Sequence, residues 1–336
     1  MARSELGLEE SDWPIASQPV LGDREGLVPW VEYAIYRSVL GVVGALPFGV
    51  QKLFTNVAAA VAAAVQPGRS RAAREYIGQA LGDRATPERV ESLLRSAWRH
   101  VITVTLRTQH YERVHGTGSP LARYRVEMPD EVRALLAEKR GAFLVTAHVG
   151  DWEAGGGALP WLGFKPFYVV SRPPRNRPLS RHFQAVRERH HVRLVPRHGA
   201  AAQLPTILQA GGSVLLFLDQ RARKKYIVAP FFGRRAKCER GAAVMLRRVG
   251  APLVFFGCWL TEEPFRYELV FTRVIRPEEL AGKDPVEVMT IVNRELERLI
   301  LRRPEQYFWL HDRFRKKKPA EGAPTAPARA PEAPPR

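Results

Sequence analysis

The stretch FLVTAHVGDWEAGGG, residues 143–157, sets a histidine at the exit of an apolar run and an acid five positions later. A short continuous apolar run bounded by polar residues reads as a buried strand, so His148 stands where that strand ends. Asp151 is placed to cap a following helix, and Glu153 then falls in the helix's first turn, close enough to turn back toward the ring. A carboxylate bonded to one imidazole nitrogen fixes the tautomer, leaves the other nitrogen as a base and stabilises the imidazolium that forms. A base of this kind contributes about 10²- to 10⁴-fold to a rate. The chemistry on offer is activation of a hydroxyl or amine for attack on an acyl group. The spacing alone is also met by a structural histidine beside a glutamate that merely favours the helix dipole. Gly155, Gly156 and Gly157 would let another segment approach this helix closely.

Other schemes find less support. The sequence holds no G-x-S-x-G elbow, no G-x-x-x-x-G-K-[ST] loop and no H-E-x-x-H helix. His190 and His191 are adjacent, which is not the spacing of a zinc site, and Cys258 lies in an apolar run that reads as core. Cys238 and Cys258 are the only cysteines of 336 residues, so neither a disulfide framework nor a cysteine metal cluster is expected, and a reducing compartment fits.

The elements that must position the histidine alternate in type. Strand-like runs at 142–147, 166–170, 192–196, 213–218, 252–259 and 266–272 are interleaved with helical stretches near 129–139, 152–162, 178–190, 199–210, 240–249 and 285–302. Such alternation predicts an α/β fold with a mixed, largely parallel central sheet flanked by helices, its first strands parallel because a crossover helix follows each. Catalytic groups of such sheets collect beyond the carboxyl ends of the strands, which is where His148 falls. Upstream, 71–110 has a helical period, with Val90, Leu94, Ala97, Trp98, Val101 and Val104 on one face.

Between Arg37 and Arg69 the only charge is Lys52, and PFGVQKLFTN divides the apolar content into SVLGVVGAL and VAAAVAAAV. Each half is shorter than the roughly 20 residues that span a bilayer, so the expectation is two helices lying on or dipping into a membrane. A single tilted span and an ordinary buried hairpin are the alternatives. The first residues lead into no continuous apolar region of a signal peptide. The chain thus divides into an N-terminal extension (1–28), a membrane-associated helical region (29–115), an α/β catalytic region (116–316) forming one domain with it, and a Pro/Ala-rich tail (317–336) expected to be disordered.

Charge is the strongest bulk signal. The net charge of +18 points to polyanionic counterparts: nucleic acid, anionic lipid or an acidic protein. Residues 171–198 carry eight arginines against Glu188 alone, and 221–240 carry eight Lys or Arg against Glu239. Nucleic acid is disfavoured because these runs lack interleaved stacking aromatics and no recognised binding module appears.

The motifs, taken together, resemble the bacterial lipid A biosynthesis acyltransferases, the late lauroyl/myristoyl enzymes of the wider lysophospholipid acyltransferase superfamily. The hallmark H-x4-D/E reads HVGDWE here, with Asp151 where that family usually has Asn, ahead of Trp152 and Glu153. VVSRPPRNRPLSRHFQAVRER is similar to its arginine block with Arg172 at the key position; FLDQ brings Asp219 and Gln220; VAPFFG brings Pro230, Phe231 and Gly233; PEQYFWLHDRFRKK resembles its closing segment. Departures are RARKK after Gln220, where acidic or small residues are common, and Cys238, where Thr is common.

The resemblance implies a membrane-associated enzyme on the cytoplasmic face of the inner membrane, needing no cofactor or metal. It would move a fatty acyl chain from an acyl carrier protein thioester, CoA being the other conceivable donor, to a hydroxyl of a lipid A-type glycolipid. His148 would be the base, Glu153 its orienting acid, and Arg172 and Asp219 would position headgroup phosphate or thioester. Asp151, Trp152, Gln220, Pro230, Phe231 and Gly233 are implied to border the substrate, with backbone amides near Gly150 or Arg172 as candidates to meet the oxyanion. Alternatives are another lipid acceptor (a lysophospholipid, ornithine-type lipid or inositol glycolipid) or a non-catalytic basic membrane-binding protein.

Overall fold

The computed structural model describes residues 13–19, 21–115 and 119–314. The expected tail 317–336 lies outside the described residues. Four helices come first: α1 (Leu27–Ala45), α2 (Phe48–Val65), α3 (Pro67–Leu81) and α4 (Pro87–His115). Each boundary has a local cause. Pro47 follows Leu46 between α1 and α2, Pro67 opens α3, and Gly82 at φ 54 closes it before Pro87 opens α4. The single helical stretch expected over 71–110 is therefore two helices. A small apolar cluster of Leu40, Val43 and Leu106, with Tyr36, Phe54 and Ile102 against it, fastens α1 and α2 to α4.

Then come β1 (Tyr124–Glu127), α5 (Asp130–Ala137), β2 (Phe143–Thr146), α6 (Trp152–Ala158), β3 (Phe167–Ser171), α7 (Arg177–Arg189), β4 (Arg193–Pro196), α8 (Ala200–Gln209) and β5 (Ser213–Phe217). A two-stranded hairpin, β6 (Tyr226–Phe231) and β7 (Arg234–Glu239), precedes α9 (Arg240–Arg248), β8 (Leu253–Leu260), β9 (Tyr267–Ile275), α10 (Pro277–Leu280) and α11 (Pro285–Arg302). The main sheet has seven strands in the order β1-β9-β8-β2-β5-β3-β4.

The α/β expectation holds: β8, β2, β5, β3 and β4 run parallel, and β9 turns antiparallel to β8 because only the short loop 261–266 joins them. All four residues of β2 and all eight of β8 are buried, as strands covered on both faces must be. β1, at the sheet's far edge beside β9, was not among the expected strands. One register carries the rest of the account. In the β2–β5 pair Thr146 lies opposite Phe217, so the residues two beyond each strand end, His148 and Asp219, emerge side by side.

Candidate active site

His148 leaves β2 with its backbone N–H donating to Asp219 Oδ2 (3.1 Å) and its ring Nδ1 bonded to Asp219 Oδ1 (2.8 Å). The ring side chain is 17% exposed and the carboxylate 3%, so the pair is dry on one side and open on the other. Burial pushes the Asp219 carboxyl up, but the charge of His148, the two hydrogen bonds from it and the charge of Arg313 outweigh that and hold it below the usual carboxylate range. An ionised Asp219 fixes the proton on Nδ1 and leaves the Nε2 lone pair outward. Gln220 Nε2 sits 3.4 Å from that Nε2, a weak contact that a substrate hydroxyl could replace. Phe217, Trp152 and Phe308 wall the ring, with centroids 4.7, 5.2 and 6.2 Å away.

The expected partnership of Glu153 with His148 is not what the fold builds. Glu153 lies in the first turn of α6 and turns its carboxylate to Arg187 of α7, which donates from Nη2 (2.6 Å) and Nε (3.1 Å). A guanidinium offers a two-point, charge-assisted fit to a carboxylate, so it holds Glu153 more firmly than one imidazole N–H would. The imidazole instead finds the acid delivered by the neighbouring strand. Glu153–Arg187 clamps α6 to α7 across the mouth of the sheet.

The turn between His148 and α6 is crowded and fully bonded. Gly150 at φ 54 packs so tightly that a Cβ would collide with the Cys258 carbonyl. Its N–H donates to Gln306 O (2.7 Å), and the Asp151 N–H donates to Cys258 O (2.8 Å). Neither amide is free to meet an oxyanion, which removes the Gly150 turn from that role. Asp151 does cap α6, accepting from the Ala154 N–H at 3.1 Å, and is 2% exposed. Burial is the chief reason its carboxyl is raised to about 6, against the Ala154 amide, Arg107 and the Tyr267 hydroxyl, which favour the charged form. Gly155 brings α6 onto β8: a Cβ there would stand 2.7 Å from that of Cys258.

Arg172 is exposed directly beyond β3, at the same carboxyl edge of the sheet. The PFF block falls elsewhere. Phe231 is completely buried, packing on Tyr76 and Phe232, Pro230 is exposed, and Gly233 at φ 71 makes the β6–β7 turn, so these residues shape the hairpin and none of them bonds to or stacks on the imidazole.

Sequence reasoning missed four groups. Arg187 lay in a basic run with no signal to single it out. Arg313, 1% exposed, spreads its guanidinium 5.1 Å over the Phe231 ring, donates to Cys238 Sγ (3.3 Å) and lends its charge to Asp219. His100 is buried against Trp152, hydrogen-bonded to the Gly150 backbone, with burial pulling its pKa to about 3. His311 accepts the Arg221 N–H on Nε2 (3.1 Å), consistent with a ring kept neutral by burial, pKa about 4. The closing block was quoted as a motif, and its last histidine and arginine could have been flagged there.

Comparison with known proteins places the chain among acyltransferases by sequence. The chain is 26% identical over 194 residues to the lipid A biosynthesis palmitoleoyltransferase of Escherichia coli (strain K12), covering 56% of this chain and 61% of that one. It is 29% identical over 201 residues to the lipid A biosynthesis lauroyltransferase of the same strain, covering 58% and 62%. A lipid A biosynthesis acyltransferase of Shigella flexneri matches at 26% over 194 residues. The matches span about 61% of the relatives' own length. The family profile described as bacterial lipid A biosynthesis acyltransferase reaches further, over residues 24–316, which takes in every element from α1 to α11. By that match the chain belongs to the bacterial lipid A biosynthesis acyltransferase family.

Proposed function

We propose that the protein transfers a fatty acyl group from a carrier-protein thioester to a hydroxyl of a lipid A-type glycolipid, with His148 as general base and Asp219 as its positioning acid. The observation that carries this reading is the 2.8 Å His148–Asp219 pair at the carboxyl edge of the sheet, one ring nitrogen held and the other outward. Nε2 takes the acceptor proton as the oxygen attacks the thioester carbonyl carbon. The tetrahedral intermediate then expels the thiolate, which receives the proton from the imidazolium, leaving ester and free thiol. Asp219 stabilises the transient imidazolium. Arg172, exposed at the same edge, is suited to a substrate phosphate or the thioester oxygen. Glu153 serves through its clamp on Arg187.

The same reading puts the protein on a membrane. Among the described residues, all but Tyr226 and Val286 of the exposed large apolar side chains lie between Leu27 and Val65. Phe48–Val65 is the one helix among the described residues long and apolar enough to cross a bilayer. Both α1 and α2 nonetheless pack on α4, which favours a hairpin lying in one leaflet, beside an acceptor that is itself a lipid. The basic surface suits the anionic leaflet and an acidic donor.

The test is turnover of labelled acyl carrier protein with an under-acylated lipid A in detergent micelles. Expected is a fall of about 10²- to 10⁴-fold in kcat for His148→Ala, with the melting temperature kept. Binding of both substrates with no turnover by the wild type, or full activity of His148→Ala, would overturn the reading.

A further inference from the structure

Several arginines around the sheet are already engaged. Arg187 is held by Glu153, Arg197 by Glu239, Arg234 by Glu75, Arg175 by Asp23 and Arg177 by Glu25. Arg223, Lys224 and Lys225, like Arg172, Arg181, Arg235 and Arg240, are exposed and form no ion pair among the described residues, but they alone of these are three consecutive cations. They follow directly from the strand that supplies Asp219, and Gln220, at their base, touches the imidazole.

This segment is pinned at both ends. The Arg221 N–H donates to His311 Nε2 (3.1 Å), the buried Ala222 donates its N–H to Lys237 O (3.0 Å), and the Lys225 carbonyl accepts from the Arg240 N–H (3.3 Å). Lys225 is held at φ 45, a conformation unfavourable for a lysine that persists only when its surroundings impose it. Three like charges are thus kept together on a fixed loop where mutual repulsion would spread a free one. At most about 3.5 Å of chain per residue keeps Arg223 within about 14 Å of Asp219, so an anion bound here sits a sugar-headgroup's reach from the base.

We propose that Arg223, Lys224 and Lys225 form a cationic lip that binds a phosphate of the acceptor lipid and so selects phosphorylated over unphosphorylated acceptors. The inference rests on the acyl-transfer reading above and specifies its acceptor. A single phosphate matches three cations on one five-residue loop, whereas an acidic carrier protein needs a broad face.

The experiment measures wild-type and Arg223→Gln/Lys224→Gln/Lys225→Asn protein on two acceptors: an under-acylated lipid A, and the same lipid stripped of its phosphates by alkaline phosphatase. Asn at 225 tolerates positive φ. Expected is a rise of about tenfold in KM for the phosphorylated acceptor alone, with kcat, donor KM and melting temperature unchanged. Raising salt should erase the wild type's preference without any variant. Equal wild-type KM for the two acceptors, or equal loss on both by the variant, sinks the lip and leaves the acyltransferase standing. A rise confined to donor KM shows the loop to be a carrier-protein contact and also overturns it. No wild-type turnover on either acceptor removes the underlying reading, and the lip falls with it.

Discussion

Asp219 and Glu153 show how two carboxylates near one histidine are sorted by geometry. Asp219→Asn should keep the fold and lower kcat by about 10²-fold or more, because Asn can accept the Nδ1 proton but cannot offset an imidazolium charge. Glu153→Gln should cost less at the chemical step and more in thermal stability, since it leaves the Arg187 guanidinium, 27% exposed, without its counter-charge. Asp151 gives a prediction in pH. Its folded-state carboxyl is raised to about 6 from 3.8, so the folded state holds that proton more tightly than the unfolded chain. Its contribution to stability is most favourable below 3.8, falls as pH rises from 3.8 to 6, and stays low above; Asp151→Asn, which preserves the cap, should stabilise the protein by up to about 3 kcal/mol at pH 7, an advantage that disappears by pH 4. Calorimetry at both pH values checks it. At this scale His148 and the Asp151 cap were legible because both depend on neighbours in sequence. The His148–Asp219 partnership was not, because it needs the knowledge that β5 lies beside β2, which is settled by packing between segments some seventy residues apart.

The helices and strands were the most readable level. Six strands and six helices of the α/β region stand where hydrophobic period placed them, and the apolar stretch before Arg69 is two helices broken at Leu46–Pro47. What escaped was short or locally ambiguous: the four-residue β1, whose place is fixed by β9, and the β6–β7 hairpin, whose PFFG turn carries its phenylalanines inward. The turn before α6 makes an element-scale prediction. Gly150→Ala would drive a methyl group into the Cys258 carbonyl, so β2 and β8 must separate there; a loss of about 3 kcal/mol and of activity together is expected, measured by denaturant titration. For the α1–α2 hairpin, Val31→Glu/Val57→Glu/Val61→Glu should abolish flotation with neutral liposomes while turnover of detergent-solubilised acceptor persists, because these exposed side chains are not needed for the core. Retained flotation would return the hairpin to an ordinary surface.

Across the molecule, charge and buried imidazoles set the response to conditions. His100 is pulled down to about 3, and His190 and His311 to about 4, chiefly by burial, so each is neutral when folded and takes a proton more readily when unfolded. Their contribution to stability is complete above about 6.5 and is lost as pH falls toward 4, which predicts a melting temperature that drops steeply over that window. Asp151 opposes the drop, and its Asn variant should make the fall steeper. The net charge of +18 predicts tighter adsorption to anionic than to neutral vesicles at low salt, an excess that shrinks as the screening length falls toward 8 Å at 0.15 M, while the apolar hairpin's share of the binding persists.

The segment from Pro304 to Phe314 is sewn into the site at several points: Gln306 O receives the Gly150 N–H, Phe308 donates to His148 O, and His311 secures Arg221. The imidazole is held by residues made early, yet one of its walls, Phe308, and the histidine that anchors the Arg221 loop are translated more than 150 positions after it. On the proposed function, a nascent chain lacks a complete centre until this stretch has cleared the ribosome, so the end of translation should time the onset of catalysis, and a product stalled before residue 304 should be inert.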